Sequence, residues 1–192
     1  MTAVRNKRLD EDQVLDAARA CVLAVGVRRT TLTDVARRAG VSRMSLYRRW
    51  PDVRSLVADL MTREWLAIAE ATRVDAGTAR QRVVGWLTAG TRALRDHPLF
   101  RKIVDVDPEL LLPYVLDRRG TSQEALLAMI EKALRDGHAD GSVRAGDPGL
   151  QARAVLLTAQ SFVLSGRTVT DACTEDALDT ELRALLDRYL AP

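Results

Sequence analysis

The chain has 192 residues, 47% of them apolar and 29% charged, with a net charge of +3, the mixture of an ordinary globular protein long enough to bury one or two cores. Cys21 and Cys173 lie far apart without a CxxC spacing, no apolar run approaches the roughly 18 residues of a membrane span, and the opening MTAVRNKRLDEDQ lacks an apolar signal core. These features exclude a disulfide framework and a membrane partner and lead to the expectation of a reduced, cytoplasmic protein. Charge is unevenly spread: residues 1–54 carry twelve Lys/Arg against six Asp/Glu, and residues 55–192 carry seventeen against twenty. That asymmetry suits a basic head that approaches a polyanion and a body that does not, or simply a charged helical surface.

Apolar spacing is helical nearly throughout and no run alternates as a half-buried strand does, so an all-α fold is expected. A disordered basic lead, residues 1–9, precedes a helix over about 10–25 with Val14, Leu15, Ala18, Val22 and Val25 on one stripe, ended by Gly26. Two short helices are expected within TLTDVARRAGVSRMSLYRRW, residues 31–50. Pro51 then opens a helix of about twenty residues through Leu56, Leu60, Trp65 and Ile68. DAGTARQ breaks the pattern before a helix around 79–95, which Pro98 stops in DHPLF, and DVDPELLLP restarts a short one. RRGTSQEALLAMIEKALRDG predicts a helix capped by Thr121 or Ser122 and ended at Gly137, followed by a turn-rich link and two last helices over about 148–166 and 174–190.

Residues 31–50 carry the most specific pattern. Thr31 is placed to cap a helix from Leu32, with the Asp34 carboxylate able to return to the cap amide. Small Ala36 permits close approach of a second helix, Gly40 supplies the corner, Val41 covers the angle, Ser42 caps the second helix and Leu46 packs back between the two. At about 100° per residue, Leu46 and Trp50 point inward while Met44 and Arg48 point nearly opposite, with Ser45 and Tyr47 on the shoulders and Arg43 and Arg49 at the rims. Such a face suits a DNA major groove, where Arg binds guanine with two hydrogen bonds and Met or Tyr touches thymine methyls; the alternative is a helical hairpin with a solvated basic face.

The run TTLTDVARRAGVSRMSLYRRWPDVRSLV resembles the DNA-binding head of the TetR family of bacterial regulators through Thr31, Val35, Ala36, Ala39-Gly40-Val41-Ser42, Leu46-Tyr47 and Trp50. The match covers about residues 10–60. It implies that Arg43, Met44 and Tyr47 face bases, with Thr33 near the groove, and that Thr31, Ser42, Ser45, Tyr47, Arg48 and Arg49 meet phosphates. Many relatives have Gly-Thr where this chain has Met44-Ser45, and a Lys where it has Val53. Arg54 is expected to replace the phosphate contact of that Lys, and Met44 and Arg49 to shift the target sequence.

The resemblance further implies an N-terminal three-helix head with a helix-turn-helix, residues 1–54, and a helical bundle, residues 55–192, for effector binding and dimerisation. A dimer places two recognition helices about 34 Å apart on a palindromic operator. Residues 152–166, ARAVLLTAQSFVLSG, are apolar around most of the helix, so they need partners on two sides. With the last helix they form the expected homodimer seam of Val155, Ala159, Phe162, Leu178, Leu182, Leu185 and Tyr189; the alternative is a single-chain core. Large side chains in the middle of the chain, Met61, Trp65, Trp86, Phe100, Leu111, Tyr114 and Met129, are the candidate lining for a hydrophobic or aromatic effector, although each also suits core packing.

Only His97 and His138, two scattered cysteines and no HExxH, GxSxG or glycine-rich phosphate loop are present, so neither catalysis nor a metal or cofactor is expected. The function expected is a ligand-responsive transcriptional repressor. The competing reading is a helical protein-interaction module that has lost specific DNA binding.

Overall fold

The computed structural model describes residues 10–192, and the expected disordered lead at 1–9 lies outside them. Among the described residues the regular structure is helical, with no strand: α1 Glu11–Val25, α2 Leu32–Ala39, α3 Arg43–Arg49, α4 Val53–Ala71, α5 Ala79–Asp96, α6 Pro98–Val106, α7 Leu112–Leu116, α8 Thr121–Ala139, α9 Pro148–Ser165 and α10 Glu175–Leu190. By packing, the chain forms two compact units. One takes in the described residues up to Arg63 together with Pro98–Arg118; the other comprises Glu64–His97 and Arg119–Pro192. The first unit thus reaches past residue 54 and includes a segment from the middle of the chain.

Several boundaries differ from expectation for local reasons. Pro51 lies in a bend and α4 starts at Val53, because Asp52 is its cap: the Ser55 amide donates to Asp52 Oδ1 at 2.7 Å. Pro98 stops α5 but also opens α6, since a first helical residue needs no amide hydrogen. α8 starts at Thr121 with Gly120 at the cap, where the Gln123 side chain accepts from the Gly120 amide at 2.9 Å. Gly137 does not end α8, which runs on to Ala139; it is buried, and a Cβ there would strike Val143 Cγ2. The left-handed residue comes four positions later, at Gly141 with φ 71°.

In the first unit, Val14, Leu15, Ala18 and Val22 of α1 bury against Leu32, Val35, Ala36 and Ala39 of α2, Leu46 of α3, Trp50, Leu56 and Leu60 of α4, and Leu99 and Ile103 of α6. Val25, expected on this stripe, is exposed. Cys21 packs at the edge of this core, and burial pushes its thiol up, away from the reactive thiolate form.

The turn after α1 is fastened by Asp107, at the end of α6. Its buried carboxylate accepts from the Val27 amide at 2.7 Å and pairs with Arg28 Nε at 3.2 Å. Gly26 makes room for it, with φ 84° and a Cβ position 2.8 Å from Asp107 Oδ2. Asp107→Ala leaves the Val27 amide without its acceptor and is expected to cost about 1–3 kcal/mol. Gly26→Ala is expected to cost more than about 1 kcal/mol, from positive φ and the clash together. The double substitution should cost less than the sum, because the oxygen that the new methyl strikes is gone. Urea unfolding of the three variants checks this, and strict additivity would count against the clasp.

In the second unit α5 packs against α8, α9 and α10. Val83, Val84, Trp86 and Leu87 meet Leu127, Ile130 and Leu134 of α8, Val155 and Leu156 of α9, and Leu182, Leu186 and Leu190 of α10. The Trp86 indole donates to the Ala69 carbonyl at 2.6 Å. Arg95 of α5 is buried and forks onto Asp179 of α10 with two hydrogen bonds of 3.0 Å.

Candidate nucleic-acid interface

The geometry of α2 and α3 follows from their caps. Thr31 is extended at φ −116° and its hydroxyl oxygen accepts from the Asp34 amide at 3.1 Å. The Asp34 carboxylate accepts from the Thr31 hydroxyl at 2.6 Å rather than from the cap amide, and also receives Arg37 at 2.7 Å. Gly40 is left-handed at φ 63° and ψ 29°, and the Val41 amide returns to the Ala36 carbonyl at 3.1 Å, closing α2 as a glycine C-cap does. Ser42 then caps α3, accepting from the Ser45 amide at 3.1 Å, while its own hydroxyl donates to the Ser45 hydroxyl at 2.9 Å.

Within α3 only Leu46 is buried, and Trp50 follows it into the core at the C-cap. Their burial turns the rest of the helix outward. Met44 is 80% exposed and Tyr47 49%, and Arg43 and Arg48 are exposed beside them. Thr31, Ser42 and Arg54 are also exposed, and Thr33 and Ser45 half-buried. Arg43, Arg48 and Arg54 have no ion pair with any described residue, so each guanidinium is available to an outside anion. All ten residues proposed from sequence for DNA contact belong to the first unit.

Arg49 requires a correction. Expected at a phosphate, it forks onto Glu11 of α1 at 2.9 and 3.2 Å and reaches Asp59 of α4 at 3.2 Å, with its guanidinium over the Trp50 ring, 4.8 Å from the centroid. The hydrogen bond from Glu11 raises it further above its ordinary value. Asp59 also accepts from the Trp50 indole at 2.8 Å. Sequence reasoning missed this cluster; the signal was Trp50 itself, since a buried indole N–H needs an acceptor within a turn or two of chain.

The other two residue sets are dispersed. Met61, Phe100, Leu111 and Tyr114 belong to the first unit, and Trp65, Trp86 and Met129 to the second. Phe100 and Trp86 are buried and the other five half-buried. Of the expected dimer seam, Val155, Ala159 and Leu182 are enclosed by the second core, so they pack internally; Phe162 and Leu178 are half-buried, and Leu185 and Tyr189 are exposed. The face of α9 that does meet solvent carries Leu150 and Leu157, each 67% exposed, which the sequence reading did not single out.

Comparison with known proteins agrees with this arrangement. Residues 14–60 match the sequence model described as bacterial regulatory proteins, tetR family. An HTH-type transcriptional regulator of Mycobacterium bovis is 39% identical over 191 residues, 99% of this chain and 100% of the relative. Among solved structures, the transcriptional repressor QsdR of R. erythropolis superposes with a TM-score of 0.71 at 15% identity, over 95% of this chain and 96% of that one. SmeT, the repressor of a Stenotrophomonas maltophilia multidrug efflux pump, does so with a TM-score of 0.66 at 21% identity, over 96% and 92%, and has also been solved in complex with triclosan.

Proposed function

The chain belongs to the TetR family of transcriptional regulators, and from that premise we propose that it is a dimeric repressor that binds a near-palindromic operator and is released by a small hydrophobic effector. The observation that carries the DNA-binding part is the outward face of α3. Leu46 and Trp50 inside leave Arg43, Met44, Tyr47 and Arg48 outside together. Arg43 and Tyr47 sit one helical turn apart on that face, the spacing at which side chains reach neighbouring base edges. Arg48, Arg54 and the capped start of α2 at Thr31 supply phosphate contacts that set register.

The functional division is residues 1–54 for DNA and 55–192 for effector and dimer, in a cytoplasmic protein. Among the described residues no helix is long and apolar enough to cross a membrane. The half-buried Met61, Trp65, Leu111, Tyr114 and Met129 support an apolar effector, and SmeT's complex with triclosan supports a small molecule as its kind. A ligand releases DNA only through a higher affinity for the state that binds DNA poorly. For the dimer, the exposed leucines of α9 and α10 form the proposed seam.

Titration of a duplex carrying the gene's own upstream region against random duplex, at several salt concentrations, tests the reading. Arg48→Ala is expected to weaken binding on every sequence and to make the salt slope shallower by about 1. Arg43→Ala is expected to cost about 1–3 kcal/mol at one base position only. Equal binding of upstream and random duplex across all salts would favour the interaction-module reading.

A further inference from the structure

α3 is a seven-residue helix with one buried side chain of its own, Leu46. One internal anchor near its middle leaves its tilt undetermined. Gly40 and Ser42 set its N-terminal end. Its C-terminal end, where Tyr47 and Arg48 stand, is set by something else: Arg49 spans Glu11 of α1 and Asp59 of α4 while covering the Trp50 ring, and Asp59 also holds the Trp50 indole. Three helices therefore converge on one guanidinium and one carboxylate.

We infer that Arg49 and Asp59 are positioning residues for DNA recognition, a clamp that sets the angle of the reading helix against α1 and α4, and that Arg49 is not a phosphate ligand. The inference rests on the DNA-binding reading above. Two carboxylates and an aromatic face already satisfy Arg49, whereas a phosphate offers one further charge and would have to approach past Glu11 and Asp59, both negative. Arg suits this place because its planar fork bonds two carboxylates and stacks at once; Lys does neither. Arg43 and Arg48, without ion pairs to described residues, stay available for DNA.

The two roles separate under a conservative exchange. Wild type, Arg49→Lys, Arg49→Ala and Asp59→Asn are titrated with the upstream duplex and with random duplex across salt. With a clamp, Arg49→Lys and Arg49→Ala both lower the ratio of upstream to random affinity by about tenfold or more, the discrimination that one well-placed side chain supplies at a base edge. The slope of log affinity against log salt stays at the wild-type value. Asp59→Asn, which leaves an acceptor for the indole but removes the charge, lowers the ratio in the same sense. With a phosphate contact, Arg49→Lys behaves as wild type, and Arg49→Ala weakens both duplexes equally with a slope shallower by about 1; that pattern overturns the inference alone. A wild-type chain that does not prefer the upstream duplex overturns the DNA-binding reading and the inference with it. Trp fluorescence melts of each variant confirm a folded head, and Arg49→Lys carries the decision if Arg49→Ala does not fold.

Discussion

Asp179→Ala is expected to destabilise the second unit by about 3–5 kcal/mol, the usual consequence of removing one partner from a buried ion pair. Arg95 is only 3% exposed, and Arg cannot shed its charge as a buried Lys can. Burial opposes its charged form, but the hydrogen bonds and charge of Asp179 outweigh that, and the guanidinium is held above its ordinary value. Without Asp179 the nearest carboxylate is Glu175, at 3.3 Å and largely outside the core. The cost therefore falls on stability rather than on protonation. Because the pair joins α5 to α10, the loss should appear as early release of α10. Asp179→Asn keeps one acceptor and should cost less. Arg95→Met combined with Asp179→Leu removes both charges and is expected to lie within about 1–2 kcal/mol of wild type, since a paired buried charge contributes little net stability against an apolar replacement. Denaturant unfolding followed by tryptophan fluorescence, with Trp65 and Trp86 both in this unit, measures all three. A double variant as unstable as Asp179→Ala would show that the pair itself, not its rupture, is what matters.

The helix-turn-helix was legible because several constraints coincide within twenty residues. Ala36, Gly40 and Leu46 each have one use at their spacing, and all three are local. α6 was not legible, because Pro98 was read only as the end of α5. Yet Leu99, Phe100 and Ile103 make a helical stripe directly behind a proline that suits a first turn. With α6 went the recognition that a mid-chain segment completes the first unit, since Asp107 and the Val27 amide are 80 residues apart. The same range limit hid Arg49. Its partner Glu11 lies 38 residues away, and an arginine on a basic helix rim gives no sign of being already engaged. On α9 and α10 the apolar content was visible but its direction was not. A helix apolar all round has no face that periodicity can assign, so Val155 and Leu182 were indistinguishable from Leu157 and Leu185 until the core was seen.

That distinction decides the second large effect. Leu157→Arg is expected to give a folded monomer whose apparent affinity for the operator is lower by about 10²–10⁴, the gain that a tethered second site ordinarily supplies. Leu150 and Leu157 stand seven residues apart on the solvent face of α9, each 67% exposed, and Leu185 on α10 is 49% exposed. Leucines at this spacing form one stripe, and a stripe of large apolar side chains in water is the surface another helix face covers. An arginine in the middle of that seam must be desolvated without a partner, which opposes association while leaving the chain's own core untouched. Val155→Ala is the contrasting variant: at 1% exposure it should lower the melting temperature through a cavity but leave the dimer intact. Sedimentation measures the assembly and duplex titration the affinity. The salt slope of Leu157→Arg should fall to about half that of wild type, since one head releases half the counterions of two. A Leu157→Arg chain that still sediments as a dimer would place the seam elsewhere. A monomer that kept both full affinity and full slope would mean that the two heads never needed each other.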